Sequence, residues 1–296
     1  MGKLTYGPVS SRRFGVSLGV DVVPFKTCTL DCVYCQLGPT DVLTIDRRPF
    51  FPQREVVREV LEAIGRGPRP DVITFAGSGE PTLYSDLGAV ARALRREAGI
   101  PLNLITNGTL LWRDDVAEDA AEFDIVAPDL DAADAATFAA INGPHPALDL
   151  GRVIDGIARF SARHPGKVRL EVFLLAGIND GPEALAAIVK AAALIAPAVV
   201  ELNTAVRPTP GRSVQGLGAA DLSRIAALFD PPAVPPAVFR SRSDASGAGL
   251  PRGLSDRILA TLKRRPCTVG QLADALGAPF ADVQAAAAAL VAAGTP

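Results

Sequence analysis

The stretch Val22-Val23-Pro24-Phe25-Lys26-Thr27-Cys28-Thr29-Leu30-Asp31-Cys32-Val33-Tyr34-Cys35 joins the end of an apolar run to a cluster of cysteines. The run at 17–25 reads as a strand. Three of the four cysteines in the 296-residue chain fall directly after it. In parallel α/β folds, chemistry gathers just beyond the carboxyl ends of strands. The fold therefore turns on whether the rest of the chain supplies further strand–helix units.

It does. Strand-like runs recur at 71–76, 102–106, 124–127, 168–175 and 199–203. Helical patterns lie between them at 54–64, 86–98, 114–122, 133–141, 151–163 and 182–195. In the first helix Val56, Val57, Val60, Leu61 and Ile64 share one face, and Pro182 suits the first turn of the last. Six strands, each followed by helix, predict an α/β protein with a parallel sheet, because parallel neighbours need crossovers. Periodicity leaves open whether the sheet is open or a partial barrel. Functional residues should then follow the strands.

Beyond Arg207-Pro208-Thr209-Pro210 the regularity fades. A helix at 219–229 carries Leu222, Ile225 and Phe229 on a stripe. Paired prolines at 231–232 and 235–236, then a Ser/Gly/Arg-rich stretch at 240–253, read as a linker. Ser255 and Thr268 can cap two short helices, and a third spans 279–293. The expected organisation is a core at 1–230, a linker at 231–253 and a helix-turn-helix-like module at 254–296.

Composition narrows the class. Hydrophobic residues are 48% and charged residues 21%, which suits a packed core rather than a disordered chain. Lys+Arg 30 against Asp+Glu 32 leaves a net charge of -2, which excludes a globally basic nucleic-acid coat. Four cysteines are too few for a disulfide scaffold. The start, Met1 to Tyr6, has no secretory pattern, and Tyr6 does not match a myristoylation site. The longest apolar region, 184–202, is broken by Lys190 and Pro197, so no membrane span is expected. The default is a soluble cytoplasmic protein with reduced thiols.

The cysteine cluster has three chemical readings. Buried apolar thiols rarely crowd so closely. Zinc wants a fourth ligand and usually paired C-x-x-C knuckles, but His145 and His164 lie far off in sequence and the other cysteine is Cys267. A cubane iron–sulfur cluster takes one thiolate per iron, so three thiolates leave one iron open to a chelating substrate.

The C-x3-C-x2-C spacing, with Tyr34 before the last cysteine, is the signature of the radical S-adenosylmethionine (SAM) superfamily, which the sequence resembles over about 15–207. The resemblance implies a partial (β/α)6 barrel with a small C-terminal helical, winged-helix-like module. It implies that Cys28, Cys32 and Cys35 hold a [4Fe-4S] cluster and that SAM chelates the fourth iron. An electron then splits the sulfonium, and a 5′-deoxyadenosyl radical abstracts hydrogen from substrate. Gly77-Ser78-Gly79-Glu80-Pro81 resembles the family's Gly-Gly-Glu-Pro segment. There Gly79 would admit close backbone approach and Glu80 would accept from the methionine ammonium. Asn107 corresponds to the residue contacting the ribose, and Tyr34 and Asp131 lie near cofactor or substrate. In isolation these positions also read as a loop, an Asn-Gly turn and a solvated helix-start acid. Asn203 and Arg207 follow the sixth strand, where an arginine can bind a carboxylate or phosphate. With no flavin or nicotinamide fingerprint in the chain, the electron must come from an external low-potential donor of flavodoxin or ferredoxin type.

Tyr6 to Arg13, Gly19-Val20-Asp21 and Ser78 to Thr82 resemble the group related to wyosine-base synthases of tRNA, which points to RNA or tRNA base modification. Those enzymes carry an extra upstream cysteine set, whereas no cysteine precedes Cys28 here. Cys267 alone cannot build a second cluster. Arg12 and Arg13 read either as phosphate ligands or as a surface pair. The alternative class is a non-catalytic iron–sulfur redox sensor that binds through its C-terminal helices. Residues 266–296 contain no Lys or Arg, which argues against DNA binding and for docking or packing.

Overall fold

The computed structural model describes residues 4–11, 15–66, 69–206, 209–235, 253–262 and 268–293. The chain opens with β1 (Thr5–Ser11) paired antiparallel to β2 (Gly15–Val20), the register shifting between Tyr6 and Val9. A short parallel pair, β3 (Thr27–Cys28) and β4 (Val42–Leu43), brackets the cysteine loop. There follow α1 (Gln53–Gly65), β5 (Val72–Phe75), α2 (Leu87–Ala98), β6 (Leu102–Thr106), α3 (Asp114–Ala121) and β7 (Ile125–Pro128). Two helices, α4 (Ala135–Asn142) and α5 (Leu150–Arg163), lead to β8 (Arg169–Leu174), α6 (Pro182–Ile195), β9 (Val199–Thr204) and α7 (Ala219–Ala226).

β2, β5, β6 and β7 pair in parallel, as do β8 and β9. Parallel bridges Val126–Val168 and Asp129–Glu171 carry β7 on to β8. The six expected parallel strands are thus present in chain order. The sheet is not purely parallel, however: β1 adds an antiparallel edge that the sequence reading lacked. Its Gly7-Pro8 pair hides it, since glycine and proline are depleted in strands and proline is tolerated at an edge.

Alternation along the strands sorts their two faces. Leu18, Phe75, Leu104, Val126, Val172 and Leu202 are buried under the helices, beside Val60, Leu94 and Ile157. Burying each such side chain contributes roughly 1.5–3 kcal/mol. The opposite face carries polar residues: Ser17 bonds Thr74, and Arg169, Glu171 and Asn203 share the side on which Phe173 lies. Asp134 and Asp149 cap α4 and α5 by accepting from Thr137 N and Arg152 N at 2.8 Å each.

Helices α8 (Leu254–Leu262), α9 (Val269–Leu276) and α10 (Phe280–Ala292) gather Leu254, Ile258, Leu272 and Val283 around Val9 of β1, so they pack on the sheet edge. Arg12, Arg13, Arg207, Cys267 and most of the linker stretch lie outside the described residues. Among those described, no helix is long and apolar enough to cross a membrane.

Candidate functional site

The cysteine loop is fixed by backbone hydrogen bonds to its neighbours. Asp31 N donates to Asn142 O (2.9 Å) and Val33 N to Ile141 O (2.9 Å), which docks the loop on the end of α4. Lys26 N donates to Ser78 O (2.8 Å) and Glu80 N to Thr27 O (3.0 Å), which ties it to the turn after β5. Cys28, Cys32 and Cys35 are free thiols, each partly exposed. They line one cavity of about 210 Å³ together with the Gly77–Glu80 segment, Asn107 and Asp129. These segments follow β2, β5, β6 and β7 in turn, as the sequence reading required.

Each thiol has its own side-chain N–H donor. Asn107 Nδ2 approaches Cys28 Sγ at 3.6 Å, Asn142 Nδ2 approaches Cys32 Sγ at 3.4 Å, and Lys26 Nζ approaches Cys35 Sγ at 3.2 Å. Burial, aided by the Glu80 charge, pushes the Cys28 thiol up to about 12. Burial, with Cys28 and Asp131 nearby, lifts Cys32 well above the ordinary thiol range. For Cys28 and Cys32 burial thus favours the protonated thiol; a bound cation reverses that balance by stabilising thiolate.

Glu80 is buried, and burial raises its pKa. Its Oε1 accepts from Thr82 N (3.0 Å), Thr82 Oγ1 (2.6 Å) and Thr106 Oγ1 (2.6 Å), while Oε2 accepts from Asn107 N (2.8 Å). The carboxylate therefore braces the ends of β5 and β6, a role the motif did not announce. Gly79 is equally constrained by the protein itself: a Cβ there would lie 1.9 Å from Thr27 O. At Gly77 a Cβ would strike the Asp21 carboxylate, which accepts from Ser78 N (3.1 Å) and Ser78 Oγ (2.8 Å).

Asn107 is engaged at both ends of its amide. Nδ2 donates to Thr29 Oγ1 (2.7 Å), and Oδ1 accepts from Thr109 N (3.1 Å) and Thr109 Oγ1 (2.7 Å). Asp131 is buried rather than solvated. It accepts from Tyr34 OH (2.5 Å), Asn142 Nδ2 (2.7 Å) and Phe173 N (2.9 Å). Burial lifts it to about 6 despite these donors. Tyr34 stacks on Phe173 with ring centroids 4.0 Å apart, placing the loop over the polar face of the sheet. Asn203 Nδ2 bonds Glu171 Oε1 (3.1 Å) on that face.

Sequence reasoning missed Lys26, Thr29, Asn142 and Phe173. Asn142-Gly143 reads as an ordinary helix end, and nothing local marks Lys26 as a partner of Cys35. The residues present fit an iron–sulfur cluster. Three thiols surround a cavity, each sulfur has an N–H donor of the kind that tunes such clusters, and one lysine supplies positive charge. Among the described residues, no group of three or more His, Cys, Asp or Glu side chains could hold a single metal ion.

A sequence model of the radical SAM superfamily matches residues 22–189, more than half the chain, a range that holds the three cysteines, the Gly77–Glu80 turn, Asn107 and Asp131. The chain belongs to the radical SAM superfamily. Members use a [4Fe-4S] cluster and SAM. A UPF0026 protein of Methanocaldococcus jannaschii is 34% identical over 229 residues, covering 77% of this chain and 71% of that protein. A protein named GTPase Obg from Brachyspira hyodysenteriae is 36% identical over 271 residues. That match covers 92% of this radical SAM chain, which spans only 40% of the Obg protein's length. Among solved structures, TYW1 with a lysine-pyruvate adduct superposes with a TM-score of 0.57 at 16% identity, covering 77% of this chain and 76% of that one. At that identity the likeness is one of fold.

Proposed function

We propose that this chain is a single-cluster radical SAM enzyme that abstracts hydrogen from its substrate, with a base in RNA as the substrate class to test first. Cys28, Cys32 and Cys35 would hold the [4Fe-4S] cluster, and the Gly77–Glu80 turn, Tyr34 and Asn107 would form the walls that receive SAM and substrate, with Asp131 buried behind Tyr34 and bracing it. The observation that carries the reading is the convergence of the three thiols, each with its own N–H donor, on the cavity shared with Gly77–Glu80 and Asn107.

When bound, cluster and cofactor supply one-electron cleavage of the sulfonium and a hydrogen-abstracting radical. The protein's own groups do the rest. Lys26, Asn107 and Asn142 orient the sulfurs. Glu80 locks the strand ends so that the walls do not shift. The Tyr34–Phe173 stack seals one side of the loop against water. Asp129 places a carboxylate in the wall of the cavity, which suits a substrate edge that carries N–H donors, such as a nucleobase. The resemblance of Tyr6 to Arg13 to the wyosine-synthase group supports the RNA class. The electron comes from a separate low-potential donor.

The test is anaerobic reconstitution followed by dithionite and SAM. 5′-Deoxyadenosine should form, Cys32→Ala should abolish it, and deuterium from a labelled RNA fraction should appear in the 5′-deoxyadenosine. Reconstituted protein that yields no 5′-deoxyadenosine overturns the enzyme. Label drawn from peptide or small-molecule fractions overturns the RNA assignment.

A further inference from the structure

We propose that Lys26 is a positioning residue that sets the reduction potential of the cluster through its bond to Cys35. The inference rests on the reading of Cys28, Cys32 and Cys35 as cluster ligands. Lys26 is 3% exposed, and lysines are almost never so buried unless paired. Its Nζ has two acceptors, Gly38 O at 2.5 Å and Cys35 Sγ at 3.2 Å, and it lines the thiol cavity. Its backbone sits at φ 56, the left-handed region that favours glycine. A lysine is thus held, against conformational preference, where its ammonium meets a cluster sulfur. The other two donors, Asn107 and Asn142, are neutral amides. Lys26 is therefore the charged member of the set.

The direction of its effect follows from charge. Three thiolates make the cluster unit anionic, and reduction adds one more negative charge. A buried ammonium beside Cys35 stabilises the reduced form more than the oxidised one, since charges interact strongly away from water. Removing it must lower the potential.

The experiment is an EPR-monitored redox titration of anaerobically reconstituted full-length protein, with iron and sulfide counted in each variant. Lys26→Met should shift the reduced-to-oxidised ratio at fixed potential at least tenfold toward oxidised, equivalent to about 59 mV. Lys26→Arg keeps the charge and should stay within twofold of wild type. Lys26→Gln keeps a neutral N–H and should fall between. A merely structural role would cost iron occupancy and leave the midpoint of the loaded fraction unmoved. If Lys26→Met assembles no cluster, the Gln and Arg variants decide: Gln must shift and Arg must hold. A fully loaded Lys26→Met at the wild-type midpoint overturns the inference alone. Wild-type protein that takes up no cubane overturns the cluster reading, and this inference with it.

Discussion

At the scale of single residues, the walls of the site are held by the protein before any ligand arrives. Gly79→Ala would drive a Cβ into Thr27 O and break the turn that carries Glu80. The expected cost is about 1–3 kcal/mol, with lowered iron uptake. Urea unfolding of the metal-free protein measures it, and unchanged stability would refute the steric account. Asp131 gives a pH signature. Burial raises its pKa from 3.8 to about 6, so the fold prefers the protonated acid. Its contribution to stability is full below about 3.8 and is lost as pH rises through about 6. The metal-free protein should lose urea resistance between those values, and Asp131→Asn should flatten that part of the profile. An unaltered slope would remove Asp131 as its source. The motif residues Cys28, Glu80 and Asn107 were legible because they follow strands in a characteristic spacing. Their partners were not. Asn142 reaches Cys32 across 110 positions, a distance no local pattern reports.

At the scale of elements, Arg47 ties the site's scaffold together. Its guanidinium donates to Thr82 O (2.8 Å) and Tyr84 O (3.0 Å), and pairs with Asp115 (2.8 Å) and Asp119 at the α3 helix. Burial would raise the Asp115 pKa, but Arg113 and Arg47 outweigh it and hold the group at about 2. That link is therefore present above pH 3.8 and lost only as pH falls through about 2. Arg47→Met leaves carbonyls and a half-buried carboxylate unserved, and should destabilise the metal-free protein by roughly 3 kcal/mol. A change under 1 kcal/mol, the range of exposed pairs, would show the tie to be superficial. The six parallel strands were legible because each is a short apolar run next to an amphipathic helix. β1 was not, because Gly7-Pro8 interrupts its pattern and its pairing with β2 is a tertiary fact.

At the scale of the whole molecule, the C-terminal helices cover the β1 edge through Ile258, Leu272 and Val283 against Val9. Sequence legibly marked three helices, with no Lys or Arg from 266 onward; which surface they cover depends on contacts about 250 positions away, beyond any periodicity argument. Ile258→Asp should release these helices, seen as new cleavage within 253–293 under limited proteolysis, while cluster absorption persists. Loss of the cluster in that variant would mean that the module supports the site directly. The central claim is that three sulfurs hold a cubane whose fourth corner takes a sulfonium nucleotide. It is tested most directly by EPR of the reduced, anaerobically reconstituted protein before and after SAM is added. A [4Fe-4S] signal that changes shape on addition is the predicted result. Bound zinc, or a cubane signal indifferent to the cofactor, would contradict it.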